Sequence, residues 1–465
     1  MSTRAALWTA QEAAQATGGK LVGQWSAYGV SIDTRSLERG DLFIALKGER
    51  DGHGFVADAL QKGAAAALVS EAPANVAPDA PLLIVADTQT GLEALGRAAR
   101  ARAAAKIVAV TGSAGKTTTK EMLRLMLGAG GSVAASAASY NNQWGVPLSL
   151  ARMARDNAYG VFEIGMNHAG EIRALVKQVR PHAALITTIA PAHLEFFGSL
   201  ETIADAKAEI FEGLEPSGAA IIPAGNSQFE RLKARARAAG VKRILSFGAR
   251  EGADARLISA EPHGEGQAIV AKLGDERIGF TLGAAGAHIA MNAIAALLAA
   301  RELGADATRA AGALANFIAL KGRGARFAAG DIEIIDESYN ANPASMAAAL
   351  DLLGQTGPKP PGRRIAVLGD MLELGKDSAD LHRGLASAIA AARADLVFLC
   401  GPHMASLWQG LPAKNRGAYA EKSSELAPEL TRSLRAGDVV LVKGSFGSRM
   451  SVIIDALKAR EAATA

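Results

Sequence analysis

At 465 residues the chain exceeds one ordinary hydrophobic core, and a prior of roughly 150 residues per domain implies about three domains. Its 50 basic and 46 acidic residues leave a formal charge of +4 spread along the chain, which makes no electrostatic case for nucleic acid and leaves acidic small molecules open. The single cysteine, Cys400, excludes internal disulfides and reads as a small buried hydrophobe in a reducing compartment.

Residues 1–103 alternate short apolar runs, such as Asp41 to Leu46 and Leu82 to Val85, with helical stretches that end in the basic, alanine-rich Leu92 to Ala105. This predicts a small α/β domain. Met1 to Ala10 lacks a charged-then-apolar signal pattern, and no apolar run reaches the roughly 18 residues that span a bilayer. The expectation is a cytoplasmic protein without integral membrane contact.

Residues 104–322 open on Lys106 to Val110, a short buried strand, followed by Thr111-Gly112-Ser113-Ala114-Gly115-Lys116-Thr117-Thr118 and a helix carrying Met122, Leu123, Met126 and Leu127. A Gly-rich loop between strand and helix is the setting of a phosphate-binding loop. Its backbone N–H groups approach phosphate oxygens, Lys116 reaches the terminal phosphates, and Thr117 is placed to hold Mg²⁺. The general pattern would want glycine where Val110 stands, so the loop is a shorter variant.

Further candidate parallel strands are Tyr159 to Ile164, Ala184 to Ile189, Ala219 to Ile222 and Ile244 to Phe247. In such sheets ligands lie beyond the carboxyl ends of strands, which draws attention to Glu163 and His193. A carboxylate inside the apolar Gly160 to Gly165 is costly unless a cation offsets it. From Leu200 to Leu214 one helix is expected, with Lys207 on the stripe of Leu200, Ile203, Ile210, Phe211 and Leu214. Its ammonium either snorkels to water or is buried with a depressed pKa, in which case a neutral amine can capture CO₂ as a carbamate. Between about Ala255 and Leu282 the pattern alternates with Gly turns, an antiparallel appendage. Helices are predicted over His288 to Leu303 and Thr308 to Leu320.

Residues 323–465 follow a hinge at Gly322-Arg323-Gly324. Strands Ile332 to Ile335, Ile365 to Leu368, Leu396 to Leu399 and Val439 to Val442 predict a doubly wound, Rossmann-like unit. The fold class is therefore α/β in three domains, with the phosphate-binding loop in a central domain whose sheet is mostly parallel.

Seven segments together resemble one family. They are the loop Thr111 to Thr118, Tyr140-Asn141-Asn142-Gln143-Trp144-Gly145-Val146-Pro147-Leu148, Glu163 to Ile172, Ala192 to Ser199, Ala206-Lys207-Ala208-Glu209-Ile210, Ser338-Tyr339-Asn340-Ala341-Asn342-Pro343 and Leu368 to Gly375. Over nearly its whole length the chain resembles the ATP-dependent Mur ligases of bacterial cell-wall synthesis. The resemblance implies an amide ligase that joins D-alanyl-D-alanine to UDP-N-acetylmuramoyl-tripeptide through an acyl phosphate, releasing ADP and phosphate. It implies ATP and Mg²⁺ as cofactors and small-molecule partners only; a monomer is the default expectation.

By the same resemblance, Gly112, Ser113, Ala114, Gly115, Lys116, Thr117 and Thr118 hold the nucleotide phosphates, Asn292 the adenine, and Arg323, Tyr339, Asn340 and Asn342 the remainder of the nucleotide. Thr117, Glu163 and His193 match metal ligands, and Lys207 the lysine that the family carbamylates. Ser31, Asp33, Thr34, Arg35, Lys47 and Gly48 match the uridine-nucleotide pocket; Asn141, Asn142 and Lys443 are placed to orient substrate. The chain departs from the family pattern at Ile289 after His288, at Glu337 after Asp336, and at Phe446 where arginine is expected. Another amino-acid ligase of the superfamily, tripeptide-forming or resembling folylpolyglutamate synthetase, is the alternative. A P-loop switch or motor and a non-catalytic nucleotide-binding regulator are more distant ones.

Overall fold

A computed structural model describes residues 5–137 and 140–464, with side chains described to Arg460. The part of the N-terminal reading that falls on Met1–Arg4 lies outside the described residues. Three principal sheets succeed one another along the chain, each flanked by helices.

The first sheet has five strands in the spatial order Lys20–Val22, Leu82–Ile84, Ala66–Val69, Asp41–Ile44 and Gly29–Ser31, parallel except for the Lys20–Val22 edge. Its longest helix, Thr88–Arg102, lies on the next domain's Gly145–Ala151 helix. The approach is close because Gly96 has no side chain: a carbon there would sit 3.0 Å from the Pro147 carbonyl oxygen. Buried Trp8 donates its indole N–H to the Ala151 carbonyl at 2.9 Å, and the Arg102 guanidinium stacks 3.8 Å over the same ring.

The central sheet has nine strands, in the order Glu276–Leu282, Gly266–Leu273, Ala255–His263, Arg243–Gly248, Ala219–Pro223, Ala183–Ile186, Lys106–Thr111, Tyr159–Glu163 and Val133–Ala135. Pairing is parallel from Ala255–His263 to Val133–Ala135, and the two C-terminal hairpin strands extend the same sheet antiparallel. The alternating segment is thus an extension of the sheet. Strand Lys106–Thr111 lies between two parallel neighbours, and all five of its residues from Ile107 onward are buried, as expected for a strand covered on both faces.

Two helices differ from the expected lengths. The helix of Lys207 ends at Ala208 and continues as a 3₁₀ turn, Glu209–Gly213. Glu209 causes the change of use: its carboxylate accepts from Gly170 N at 2.8 Å and Arg173 N at 3.1 Å, capping the helix Glu171–Val179. Likewise Ala307–Ala313 stops short and is followed by the 3₁₀ turn Leu314–Asn316.

In the third sheet the order is Ala325–Ala329, Ile332–Glu337, Val439–Lys443, Arg364–Gly369, Leu396–Cys400 and Arg416–Ala420, parallel after an initial antiparallel hairpin. Helices cover both faces, which is the doubly wound arrangement. Among the described residues no helix is long and apolar enough to cross a membrane.

Candidate functional site

The loop after Lys106–Thr111 is shaped by its two glycines. At Gly112 φ is 150°, and a side-chain carbon there would lie 1.9 Å from Thr187 Oγ1. Gly115, at φ 80°, starts the helix Lys116–Gly128 in the left-handed region, and a carbon there would lie 2.7 Å from Asn292 Nδ2. Val110, where the longer motif would place glycine, is a buried strand residue, so the loop begins after it. Thr187 Oγ1 donates to the Ala114 carbonyl at 2.5 Å, and Ser113 Oγ donates to Ala190 O at 2.9 Å. These contacts fix the loop against the end of the neighbouring strand. That strand ends at Ile186, earlier than expected, because Thr187 and Thr188 turn to meet the loop.

Lys116 folds back to donate to Gly112 O at 2.8 Å. Burial lowers its pKa, the Glu163 carboxylate works against that shift, and the Arg323 guanidinium adds to it. The helix N-terminus beneath it points unpaired N–H groups at the same space, an anion site by construction.

Around this loop lie polar atoms that are buried and without a hydrogen-bond partner. Glu163, 1% exposed at the end of Tyr159–Glu163, uses Oε1 to accept from Asn141 Nδ2 at 2.7 Å, while its Oε2 is unsatisfied. Thr117 Oγ1 is likewise unsatisfied. His193 adopts a left-handed conformation, φ 59°, and its Nδ1 is 2.5 Å from Glu373 Oε2 without hydrogen-bond alignment. Burial lowers the His193 pKa, Glu373 opposes this, and the Lys207 and Lys116 ammonium groups reinforce it. A buried orphan carboxylate oxygen, hydroxyl and imidazole are the donor set a hard divalent cation would use. Among the described residues no group of three or more His, Cys, Asp or Glu side chains is gathered as a self-sufficient metal cage. A cation here would draw its remaining ligands from phosphate and water, as Mg²⁺ does.

Lys207 is 2% exposed, so its side chain is buried rather than snorkelling. Burial, aided by the Lys116 charge, holds its pKa well below the usual amine range.

The third domain closes the other side of a cavity of about 730 Å³, which reaches from Ser113 to Lys443. Asn292 borders the loop, and Arg323 lies with its guanidinium 3.9 Å from the Tyr339 ring centre. Buried Asp336 holds this wall together. It accepts from Gly322 N at 3.0 Å and Ser338 Oγ at 2.6 Å, tying the hinge to the segment that carries Tyr339. Asn342 caps the helix Pro343–Gln355 and also donates to Ser113 O at 3.2 Å. Asn340 spends its Oδ1 on Ala341 N.

Lys443 lines the cavity, but its Nζ is 3.3 Å from Glu337 Oε2 and donates to Asn340 O at 2.9 Å. The departure at Glu337 thus supplies this lysine's counter-charge. Phe446, where arginine was expected, is exposed and tilted against Tyr339 at 6.1 Å.

The expected uridine-nucleotide residues lie outside this cavity, on the first domain. Ser31 is buried and donates to Asp33 O at 3.0 Å. The Asp33 carboxylate accepts from Arg35 N and its guanidinium, which holds its pKa down to about 2. Thr34 O accepts from Lys62. Lys47 pairs across a bridge with Asp51, and Gly48 packs where a side-chain carbon would meet the Trp144 ring at 2.6 Å. Asn142, expected to orient substrate, accepts from Trp144 N and Gly145 N through its Oδ1 at the start of the Gly145–Ala151 helix. Its amide oxygen is already committed to the backbone. Thr187 and Glu373 were not singled out by the sequence; Glu373 sits within the quoted Leu368 to Gly375 segment, and Thr187 directly follows a strand.

Residues 26–124 match the domain described as "Mur ligase family, catalytic domain", 110–300 the "Mur ligase middle domain", and 322–446 the "Mur ligase, glutamate ligase domain". The UDP-N-acetylmuramoyl-tripeptide--D-alanyl-D-alanine ligase of Rickettsia prowazekii (strain Madrid E) is 35% identical over 97% of this chain and 99% of its own length. A MurF crystal structure from Acinetobacter baumannii superposes with TM-score 0.85 at 33% identity, covering 97% of this chain and 99% of that one. MurF ligase of Thermotoga maritima in complex with ADP superposes with TM-score 0.77 at 26% identity, covering 94% and 98%. With three matched domains in order and near-complete coverage by relatives, the chain belongs to the Mur ligase family.

Proposed function

We propose that the protein is an ATP-dependent amide ligase joining D-alanyl-D-alanine to UDP-N-acetylmuramoyl-tripeptide, acting as a monomer in the cytoplasm. The observation that carries the reading is the unsatisfied set Thr117 Oγ1, Glu163 Oε2 and His193 Nδ1 at a phosphate-binding loop, with Glu163 and His193 lining a cavity that the third domain closes. The relatives' names supply the substrates.

In this reading the N–H groups of Gly112 to Thr118 and the Lys116 ammonium hold the ATP phosphates. Asn292 faces the base, while Arg323, stacked on Tyr339, and Asn342 complete the nucleotide wall. Thr117, Glu163 and His193 would hold Mg²⁺, which when bound would neutralise charge on the phosphoryl oxygens. Lys207, neutral and buried, would take up CO₂ as a carbamate with release of a proton. That replaces a neutral amine by an anion, which attracts the Lys116 ammonium. Asn141 fixes the Glu163 carboxylate in the orientation that leaves Oε2 free. The first domain, proposed as residues 1–103, would hold the uridine nucleotide through Ser31, Asp33, Thr34, Arg35, Lys47 and Gly48. Residues 104–322 would carry ATP, and 323–465 would close over it.

The chemistry asks for positioning more than for acid or base groups. A substrate carboxylate oxygen attacks the γ-phosphorus and the bond to ADP breaks. The acceptor amine nitrogen then attacks the acyl carbon, the carbon–oxygen bond to phosphate breaks with its electron pair leaving on phosphate, and the amine proton passes to phosphate or water. Phosphate release measured with D-alanyl-D-alanine against meso-diaminopimelate, L-lysine and glutamate tests the reading. Release dependent on the dipeptide is expected; release with one of the others alone overturns it.

A further inference from the structure

In the first domain the strands Gly29–Ser31, Asp41–Ile44 and Ala66–Val69 run parallel, so their carboxyl ends share one edge of the sheet. That edge gathers Ser31, the loop that carries Lys47 and Gly48, and Ser70. Ligands of open parallel sheets lie beyond such an edge.

The loop is folded into a tight hairpin. Lys47 pairs with Asp51, Gly48 N donates to Arg50 O at 3.2 Å, and Gly52 N donates to Leu46 O at 2.9 Å. A side-chain carbon at Gly52 would lie 2.6 Å from Leu46 O, so the close return of the chain needs glycine. These bonds are internal to the loop.

His53, 8% exposed, connects the hairpin to the next strand. Its Nε2 accepts from Ser70 N at 2.9 Å, which leaves the ring proton on Nδ1, and Nδ1 donates to Asp51 Oδ1 at 2.6 Å. The same Asp51 oxygen accepts from His53 N at 3.0 Å and caps the 3₁₀ turn Gly52–Phe55. Ser70 Oγ lies 3.1 Å from Nε2, so Asp51, His53 and Ser70 stand in the order of a hydrolytic triad. The Nε2 lone pair is already engaged by the Ser70 N–H, which removes the free base that such chemistry needs. What remains is a strut: it runs from the Ser70 backbone through the imidazole to Asp51, and Asp51 holds Lys47.

We propose that His53 is a positioning residue for the uridine nucleotide: in its neutral Nδ1–H form it fixes the hairpin from Lys47 to Asp51 against the sheet edge, so that Lys47 and Gly48 are in place before the ligand arrives. His53 acts through Asp51 and not by touching the ligand. The inference rests on the proposed role of Lys47 and Gly48 and adds what holds them.

Calorimetric titration with UDP tests it, with ADP as the control for the central domain and thermal melting as the check on folding. His53→Ala is expected to weaken UDP binding about fivefold or more, the scale of one lost neutral hydrogen bond, and to leave ADP binding within about twofold. His53→Gln, whose amide oxygen extends as far as Nε2 and can accept from Ser70 N, should recover most of the loss. His53→Asn, whose amide extends only as far as Nδ1 and can still answer Asp51, should not, and this pair carries the comparison should His53→Ala fail to fold. Unchanged UDP affinity in His53→Asn, or equal weakening of UDP and ADP, overturns the positioning role alone. A histidine that served stability only would lower the melting temperature while the folded protein bound UDP as before, which also overturns it. Failure of the unsubstituted protein to bind UDP overturns the uridine pocket and the inference with it.

Discussion

Asn342 joins two domains with one amide: its Oδ1 accepts from Ser345 N at 2.9 Å to cap a third-domain helix, and its Nδ2 donates to Ser113 O at 3.2 Å in the phosphate-binding loop. The loop carbonyl and the cap are 229 residues apart in sequence. Closure of the third domain is thus linked to the shape of the loop.

The two halves of that amide are separable. Asn342→Asp retains an N-cap oxygen and loses the donor, so its melting temperature should stay near that of the unsubstituted protein while KM for ATP rises. Asn342→Ala loses both, and should in addition lose about 1 kcal/mol of stability. Denaturant titration alongside ATP kinetics distinguishes the pair. Equal ATP kinetics in all three proteins would show that the tether has no part in nucleotide binding.

Glu163→Gln keeps the oxygen that accepts from Asn141 and replaces the orphan Oε2 by an uncharged amide. Turnover is expected to fall about 100-fold or more, as when one preorganised charge-stabilising group is removed. Binding of ADP without added metal should be nearly unchanged by calorimetry, whereas the gain in nucleotide affinity on adding Mg²⁺ should shrink.

Gly115→Ala places a methyl group at a left-handed position facing Asn292. Backbone strain on the order of 1–2 kcal/mol and displacement of Asn292 should both appear, the first in stability and the second as weakened nucleotide binding. A fluorescent ATP analogue titrated against both proteins measures the latter.

Cys400 is 1% exposed, and burial, with the Asp370 and Glu425 carboxylates adding, raises its pKa to about 11. A folded-state pKa above the unfolded one favours the native state fully below the unfolded value, and the benefit is lost as pH rises. Stability should therefore fall between pH 9 and about 11, and Cys400→Ala should flatten that decline. Being the sole cysteine, Cys400 also reports on the third domain: reaction with a disulfide reagent at pH 8 should proceed at the rate of domain opening. Burst labelling of the native protein would contradict the buried position.

The strands that were readable are long, apolar and covered on both faces, such as Lys106–Thr111 and Val439–Lys443. Val133–Ala135 and Gly29–Ser31 escaped because three residues carry too little pattern to separate a strand from a loop. Glu163 and Lys207 were visible as charges placed where apolar residues belong. The partners of the site were not, since the Lys443–Glu337 pair spans 106 residues and the Asn342–Ser113 bond 229, and local periodicity holds no information at that range. Asn142 illustrates the converse: its bonds to two backbone N–H groups at a helix start follow from backbone geometry, which residue type alone does not reveal.

The most direct test of the account is mass detection of the product formed from ATP, UDP-N-acetylmuramoyl-tripeptide and D-alanyl-D-alanine. The expected result is the dipeptide joined by an amide bond to the UDP-linked peptide, with one ADP and one phosphate released for each product. ATP hydrolysis without that amide, or an amide formed only with a single amino acid, would contradict it.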